Sequence, residues 1–465
     1  MAFPFASLFR RRAEAPVKTR ALEAAGGGTR WATRNGVAHA PSAIRAGAAT
    51  VARRAQDFVL NDPIGTRAAQ VLPDNLVGAG IKPIAKTTDA ALRKRLASAF
   101  DIWTDRADAT GEGDFFSLTW RSVQCMVVFG EGLVVWGSAH DGAPQLTVLD
   151  PEQLDRTKSV RLSDTRFVEQ GVEFDTATAR PVAYWIRPSA PGGMQAAGLH
   201  AAPAQRIPAA EVIHLFRPLF PGQVRGLSWF APILLGARDL NELIDAAIVR
   251  AKVAAMHAGY IRDPSGGGVY SGKQTGDTLD VTMEPGTLNV LRAGEDIVFP
   301  NVPDSGDVMG LAKMQLHSMA AAIGLTYEQL SGDFSDASYS SARSAHLEFR
   351  RFAETVQHHV IVHQLCRPVW SRFMRWQVLQ GTVAAADYVN PASGLQNAKW
   401  LPPAWPWIDP AKDAKAAIME IDANLKSRSE VIAARGYDAE DVDAEIAADR
   451  DRARRLNIEE STNAA

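Results

Sequence analysis

The sequence is poor in cysteine and has no large excess of charge of either sign. Cys125 and Cys366 are the two cysteines of the 465 residues, and both lie among apolar neighbours. We therefore exclude a disulfide framework and expect buried thiols in a reducing compartment. The net charge of -2 excludes a broadly basic, nucleic-acid-coating surface. Local contact with DNA stays open, because a channel can pass a polyanion by not binding it tightly.

Long apolar runs are also absent. No stretch of about 18 apolar residues occurs, so the sequence predicts no transmembrane span. Near the N-terminus an apolar segment precedes Arg10, Arg11 and Arg12, which reverses the order of a secretory signal. We expect residues 1–40 to form a flexible basic arm, with membrane association as the minor alternative.

The motifs of common active sites are missing. There is no phosphate-binding G-x-x-x-x-G-K-[ST] and no G-x-S-x-G, and the glycines at 266–268 follow Pro264 in a predicted hairpin tip. His359 and His363 are four residues apart, as on one helix face, but the Glu of H-E-x-x-H and a third ligand are absent. The sequence thus predicts no catalysis, no metal and no cofactor.

Helical and strand patterns fill the first half of the chain. Apolar periodicity predicts helices over 43–72, with a break at Asp62-Pro63, and over 88–103. Residues 115–137 predict a helix followed by a strand. Further strands are predicted in "PQLTVLDPEQLD", "RFVEQGVEFD", "PVAYWIRP" and "EVIHLF". The spacing favours a small antiparallel sheet.

Longer helices dominate the second half. Residues 228–258 predict one helix of more than about 40 Å. Strands and turns follow, then a second helix, a Gly/Ser/Asp loop and a long helix towards Gly381 that Pro368 should kink. A Trp/Pro segment at 400–416 predicts a rigid connector, with peptide binding as the alternative. Two charged helices follow it, with Ser427 or Ser429 as a cap.

Three separated segments resemble the lambda-type portal proteins of tailed bacteriophages. They are "HLFRPLFPGQVRGLSWFAPIL" (214–234), "GLTYEQLSGDFSDASYSSARSAHLEFRRF" (324–352) and "WPWIDPAKDAKAAIMEIDANLKSRSEVIAARGYDAEDVDAEIAADR" (405–450). They occur in the order found in the family, and the resemblance covers roughly residues 40–455. It implies a ring, usually a homododecamer, at one capsid vertex, through which double-stranded DNA enters and leaves.

The resemblance also implies a fold of the α+β class. The portal fold has a wing with a small antiparallel sheet, long stem helices, a β-containing clip, a tunnel loop, a kinked tunnel helix and a helical crown. Carried onto this sequence, the parts are the wing at 41–227, the first stem helix at 228–258, the clip at 259–306, the second stem helix at 307–323, the tunnel loop at 324–341, the kinked helix and wing return at 342–399, and the connector with the crown and tail at 400–465.

In this reading the flexible loop projects into the pore while the attached helix holds its base in the ring. The implied loop and channel residues are Tyr327, Ser331, Gly332, Asp333, Phe334, Ser335, Asp336, Ser338 and Arg343. Asp333 and Asp336 would make the constriction acidic and weaken its attraction for phosphate. Tyr327 and Phe334 either line the pore or pack the loop against the helix, and packing is favoured for Tyr327.

Charged residues outside the loop leave alternatives open. Arg238, Arg250 and Lys252 either face the channel or pair with acidic residues of an adjacent subunit. Arg343, Arg350 and Arg351 follow the loop and either meet phosphates or lie on an ordinary solvated helix face, which is the expected use of at least two of the three. The basic arm either contacts scaffold or shell protein or is trimmed during maturation.

The resemblance further implies a set of partners and a location. The partners are double-stranded DNA bound without sequence specificity, the terminase large subunit, a head–tail connector protein, and the major capsid and scaffold proteins. The location is the virion, after assembly in the host cytoplasm. The alternative is a phage or gene-transfer-particle structural protein that binds shell or tail components without conducting DNA.

Overall fold

The structure, a computed structural model, describes residues 40–189, 202–255, 259–262, 274–275, 278–279, 288–291, 308–336, 338–405 and 410–456. The arm with Arg10, Arg11 and Arg12, the glycines at 266–268 and Trp407 lie outside the described residues. The chain divides into two compact units: Met1–Pro232 together with Ile323–Ala465, and Ile233–Ala322.

The first unit begins with four helices: α1 (Ala40–Asn61), α2 (Pro63–Leu76), α3 (Ala90–Thr104) and α4 (Phe115–Phe129). Aspartates cap three of them. Asp62 accepts from the amides of Ile64 and Gly65 at the start of α2, and Asp89 and Asp114 do the same for α3 and α4. These caps bear out the predicted break at Asp62-Pro63 and the predicted start near Asp89.

Two antiparallel sheets follow, where the sequence predicted one. A separate strand, β1 (Lys82–Ala85), lies between α2 and α3. The strands of the two sheets are β2 (Glu131–Ser138), β3 (Pro144–Leu149), β4 (Val160–Arg161), β5 (Arg166–Glu169), β6 (Val172–Asp175), β7 (Pro181–Ile186), β8 (Gln205–Pro208) and β9 (Val212–Phe216). One sheet has the order β3-β2-β9 and the other the order β4-β5-β6-β7-β8. A shared apolar cluster, which includes Leu133, Tyr184 and Val212, packs between strands of both.

The stretch "RFVEQGVEFD" is a hairpin, not the single strand that was predicted. Glu169 pairs with Val172 across a two-residue turn, and both turn residues, Gln170 and Gly171, have positive φ. That backbone is the turn that matches the twist of paired strands. The prediction missed it because Gln-Gly is a weaker signal than Asn-Gly.

The rest of the first unit is mainly helical. Its elements are α7 (Tyr327–Ser331), α8 (Tyr339–Val356), a π-helical segment (Gln357–Cys366), α9 (Arg367–Leu379), α10 (Ala385–Val389), β14 (Ala398–Leu401), α11 (Pro410–Asp422), α12 (Arg428–Ala434) and α13 (Ala439–Leu456). β14 pairs with β1, so that Trp400 lies opposite Pro83. The segment predicted as a connector therefore contains the end of a strand and the start of α11, and three C-terminal helices follow β14 where two were predicted.

Aromatic rings from three helices form the centre of the first unit. Phe100 of α3 lies 5.1 Å from Phe373 of α9 and 5.3 Å from Trp103 between ring centroids, and Trp103 lies 5.4 Å from Phe115 of α4. All four side chains are buried. Such edge-on and tilted ring contacts add to the free energy gained by burying the apolar area.

In its described residues, the second unit has two helices and four short strands. These are α5 (Leu234–Ala255), β10 (Gly259–Arg262), β11 (Gln274–Thr275), β12 (Thr278–Leu279), β13 (Leu288–Leu291) and α6 (Val308–Ile323), whose last residue belongs to the first unit. β10 and β13 pair in parallel, and β11 and β12 pair antiparallel. Most of the predicted clip lies outside the described residues.

The first long helix starts at Leu234 and not at Ser228 as predicted. The amide of Trp229 donates to the carbonyl of Val127 at the end of α4, at 3.0 Å, and Ser228 contacts the same carbonyl. Pro232 cannot donate a hydrogen bond, which suits it to a position just before a helix. Ser228 and Trp229 thus satisfy the end of α4, a contact that helical periodicity cannot reveal.

Candidate channel loop and its anchoring helix

The predicted tunnel loop is not loop throughout, because α7 lies inside it. Thr326 accepts from the amide of Gln329, and the Gln329 side chain accepts from the amide of Thr326, which makes a capping box. Leu330 is buried, and the Arg67 side chain of α2 donates to the Gln329 carbonyl at 3.0 Å. The start of the loop is therefore a short helix fixed to α2.

The turn after α7 is held by its own side chains. Gly332 ends α7 with φ +74°, in the left-handed region. The Tyr327 hydroxyl donates to Oδ2 of Asp333 at 3.0 Å, and the amide of Ser335 donates to Oδ1 at 2.9 Å. The amide of Asp333 in turn donates to the Ser331 hydroxyl at 3.1 Å.

Beyond this turn the loop is exposed. Phe334 is 66% exposed, and Ser335 and Asp336 are exposed as well. Ser338 then caps α8 by accepting from the amide of Ser341 at 3.2 Å. The predicted loop residues from Tyr327 to Ser338 therefore do lie together, but those up to Asp333 are ordered by hydrogen bonds and Phe334 leads the exposed part.

Arg343, predicted with the loop, points to the C-terminal helices. Its guanidinium lies 3.7 Å from the carboxylate of Asp413 in α11. About two helical turns further along α8, Phe349 lies 5.9 Å from Trp405 between ring centroids, and the guanidinium of Arg350 lies over the same indole at 5.6 Å. This face of α8 is occupied by the C-terminal segment. A channel role for Arg343 stays a prediction.

The helix behind the loop changes geometry without breaking at Pro368. It runs as α8, then as the π-helical segment over Gln357–Cys366, then as α9, in which Pro368 occupies the first turn. The amide of Arg367 donates to the carbonyl of Val362, five residues back. A π-helical stretch, a feature that is common at functional positions, thus ends directly before Pro368. The kink at Pro368 stays a prediction.

Two glutamines of the π-helical segment connect it to the wing. Gln357 is buried, and its side-chain amide donates to the carbonyl of Leu76, the last residue of α2, at 3.0 Å. Gln364 accepts from the amide of Phe216 in β9 at 2.9 Å and donates to its carbonyl at 3.0 Å. The segment therefore joins α8 to both a helix end and a strand.

A buried ion network, which the sequence reasoning missed, lies in the first unit. Glu131 begins β2 and Arg225 precedes Gly226, and the side chains of both are 1% exposed. Arg225 Nε donates to Glu131 Oε2 at 2.8 Å, and its Nη1 donates to the carbonyls of Gln170 at 2.9 Å and Leu154 at 3.2 Å. Its guanidinium thus ties β2 to the turns of the five-stranded sheet.

Glu131 has further partners. Arg156 Nη2 lies 2.7 Å from its Oε1, His214 Nε2 lies 2.9 Å from its Oε2, and the amide of Gly226 donates to Oε2 at 3.1 Å. His214, Arg225 and Gly226 all belong to the segment 214–234 that carries the family resemblance. The signal in the sequence was weak: a charged residue next to a glycine, as in "FGEG" and "VRGL".

The network shifts the pKa values of its members. Burial by itself would raise the pKa of Glu131, but Arg225, Arg156 and His214 outweigh it and hold this pKa well below its usual value. Burial lowers the pKa of His214 below 6.5, against the opposing effect of Glu131. The folded protein therefore keeps Glu131 ionised and favours neutral His214.

The predicted stem residues lie on α5. Arg238 pairs with Glu242 one turn along the same helix, at 3.2 Å, and both are exposed. Arg250 and Lys252 are exposed near the end of α5. The pairing of Arg238 is within its own helix, so the alternatives of channel lining and intersubunit pairing remain predictions for all three.

Other features give little indication of chemistry. Cys366 is buried, Cys125 is half-buried, and burial raises the pKa of each thiol to about 12. The Arg367 guanidinium lies 3.3 Å from Nδ1 of His363. Within the described ranges no group of three or more His, Cys, Asp or Glu residues is arranged to hold a metal ion. None of the described helices is long and apolar enough to cross a membrane.

Known proteins resemble this chain over most of its length. The "Probable portal protein" of Halomonas phage phiHAP-1 is 28% identical over 463 residues, which cover 92% of this chain and 85% of that protein. "Portal protein B" of Escherichia phage lambda is 22% identical over 444 residues, which cover 84% of this chain and 81% of that protein.

The comparison with solved structures finds the neck of a native gene transfer agent particle with C12 symmetry. The TM-score is 0.40 at 15% identity, with 81% of this chain and 92% of that chain covered. The family model described as "Phage portal protein, lambda family" matches residues 27–357. That range covers more than half of the chain and includes α1–α4, both sheets, α7 and α8, so the chain belongs to the lambda family of phage portal proteins.

Proposed function

We propose that copies of this chain close into a ring at one capsid vertex and that double-stranded DNA enters and leaves the particle through the ring. The observation that carries the proposal is the family match over residues 27–357. The ring is a dodecamer, the usual number in the family, and it has no catalytic activity of its own. It is assembled in the host cytoplasm and becomes part of the virion.

Surface chemistry supports a ring of many copies. The second unit exposes six large apolar side chains on its two helices, where a single copy would leave them in water: Ile244, Ile248, Val249, Met309, Leu311 and Met314. Exposed apolar groups of this size are typical of surfaces that neighbouring subunits cover.

The charge of the chain supports passage of DNA over tight binding. The net charge is -2, and the exposed part of the loop contains Phe334 and Asp336 and no basic residue. Binding to a duplex depends mainly on cations that neutralise phosphates, so a loop of this composition holds DNA weakly and without sequence preference. DNA can therefore slide past the loop.

The ring also serves as a docking platform. Its partners are the ATP-driven terminase large subunit during packaging, a head–tail connector protein afterwards, and the major capsid and scaffold proteins around the vertex. The domain assignment that goes with this function is wing, stem, clip, tunnel loop and crown, with α5 and α6 as the stem helices and α11, α12 and α13 in the crown region.

Electron microscopy of the purified protein in negative stain tests the ring. We expect rings with a central hole wide enough for duplex DNA, and a solitary compact particle would contradict the proposal. Deletion of Gly332–Ser338 tests the loop: rings should still assemble, but DNA packaging or retention should be impaired. Rings that never admit DNA would favour a structural protein that does not conduct it.

A further inference from the structure

The loop contains a closed set of hydrogen bonds at its turn. Tyr327, the first residue of α7, is joined through its hydroxyl to Asp333, six residues later. The Ser331 hydroxyl donates to the Tyr327 carbonyl at 2.8 Å and accepts from the amide of Asp333 at 3.1 Å. Asp333 therefore has both carboxylate oxygens engaged by groups of the same turn, Tyr327 and the amide of Ser335.

We infer that Tyr327 is a positioning residue of the channel loop, acting through Asp333 to hold the turn that presents Phe334 to the pore. The inference rests on the proposed function and adds the residue that sets the shape of the loop. It also changes the picture of a loop that is pliable throughout. The part from Tyr327 to Ser335 is a turn held by hydrogen bonds.

The position of Tyr327 is itself fixed to the wing. Leu330, on the same short helix, is 1% exposed, and Arg67 donates to the Gln329 carbonyl next to it. The capping box of Thr326 and Gln329 closes the start of the helix. The Tyr327 hydroxyl therefore extends from an anchored helix. Its hydrogen bond to Asp333 fixes the turn relative to that helix.

The exposure of Phe334 is the sign that the turn is held. An apolar side chain that is 66% exposed loses contact with water when a free loop folds it inward, so a freely moving loop would favour a buried Phe334. The bonds of Asp333 to Tyr327 and Ser335, on either side of Phe334 in the turn, oppose that movement. Phe334 is thus presented by the hydrogen bonds of its neighbours.

The Tyr327→Phe variant tests the inference, since it removes one oxygen and keeps the ring. Tyr437→Phe is the matched control, because Tyr437 is 62% exposed far along the sequence in the C-terminal region. The first measurement is hydrogen exchange at the Ser335 amide in the purified full-length protein. Loss of the hydroxyl should raise the exchange rate by roughly 2- to 10-fold, the factor that corresponds to one net hydrogen bond, while Tyr437→Phe should leave it unchanged.

The second measurement is the fraction of particles that retain full-length DNA when each variant serves as the portal. Rings of Tyr327→Phe should have the size and thermal stability of the wild type, and the fraction of filled particles should fall. Unchanged exchange at Ser335 would overturn the hydrogen-bonded turn. Faster exchange with undiminished DNA retention would overturn the positioning role. Failure of the wild-type protein to form rings would instead contradict the proposed function, whatever the exchange shows.

Discussion

Glu131 illustrates how one buried carboxylate can hold several segments of the first unit in position. A lone charge removed from water is costly, and its burial is tolerated only where partners satisfy it. Here Arg225, Arg156, His214 and the amide of Gly226 surround the two oxygens. The partners come from three separate stretches of sequence, so the carboxylate fixes their relative positions.

Substitution of Arg225, the main cation beside Glu131, should strongly reduce the stability of the fold. Arg225→Met leaves Glu131 buried without its closest charge, and we expect the free energy of unfolding to fall by about 3–5 kcal/mol. Arg45→Met is the control, because Arg45 pairs with Glu169 at 3.0 Å on the surface and such pairs contribute about 0–1 kcal/mol. Denaturant titration of both variants checks the difference, and equal losses would contradict the account.

Stability should also fall in acid. Glu131 and His214 both have a pKa below the ordinary value in the folded state, so the unfolded chain binds more protons as the pH falls. The loss due to His214 begins as the pH falls through 6.5, and that due to Glu131 begins near 4.5. Each is complete only below the folded pKa.

A variant separates the histidine from the other groups. His214→Gln keeps a donor for Glu131 but cannot take up a proton. We expect its melting temperature to depend less steeply on pH than that of the wild type between about pH 7 and 5.5. Melting curves over this range measure it, and parallel slopes for the two proteins would exclude His214 as the source.

Residues that act on their neighbours in sequence were predictable, and distant partners were not. Asp62, Asp89 and Ser427 cap helices two or three residues away, and capping has a local signature. Thr326 and Gln329 have the same signature and could have been read from it. Arg225 and Glu131 are 94 positions apart, and no local pattern reports which buried charge meets which.

The helix behind the loop is the element that departs furthest from its sequence pattern. Pro368 predicts a kink, because it lacks an amide hydrogen and clashes with the preceding turn. In the structure, a π-helical segment over the ten residues Gln357–Cys366 precedes this proline. Its two glutamines bond with α2 and β9, so tertiary contacts accompany the changed geometry and could not be inferred from periodicity.

Gln364 should be important for joining this helix to β9. Gln364→Leu has similar volume but leaves the amide and carbonyl of Phe216 without their side-chain partners. We expect a loss of about 1–3 kcal/mol in the free energy of unfolding. Gln380→Leu, at the exposed end of α9, is the control and should change little. Denaturant titration compares the two, and a Gln364→Leu protein as stable as the control would refute the role.

At the scale of the whole molecule, the two units differ in how they cover apolar surface. The first unit has an enclosed aromatic centre, although it also exposes apolar side chains such as Leu60 and Leu379. In the described part of the second unit, both helices expose large apolar side chains. Neighbouring copies in the proposed ring would cover these side chains.

This difference predicts a separation of folding from assembly. Ile248 is 46% exposed on α5, and Ile248→Glu would place a charge in the contact between copies. We expect a folded protein that no longer forms rings. Ile102→Glu, at a 66% exposed position of α3, should still form them. Size-exclusion chromatography with light scattering distinguishes the two, and intact rings from Ile248→Glu would argue against this surface.

The family could be recognised from the sequence, but for a different reason from the one that made parts of the fold predictable. The segments 214–234 and 324–352 contain His214 and Arg225 of the buried network and the turn held by Tyr327 and Asp333, where particular side chains make the contacts. Strand number, the π-helical segment and the start of α5 depend on contacts far along the chain. The amino-acid composition of such elements can vary. Local sequence patterns therefore predicted that the elements exist more reliably than they predicted the residues where the elements begin and end.

The two hydrogen bonds between the Gln364 side chain and the Phe216 backbone have a consequence for particles built from many copies at high local concentration. β9 ends the three-stranded sheet on one side, and an uncovered border strand invites a foreign strand to add by backbone pairing. The glutamine amide already supplies the donor and acceptor that such a strand would offer at Phe216. Crowded subunits are thereby hindered from polymerising strand to strand at this point.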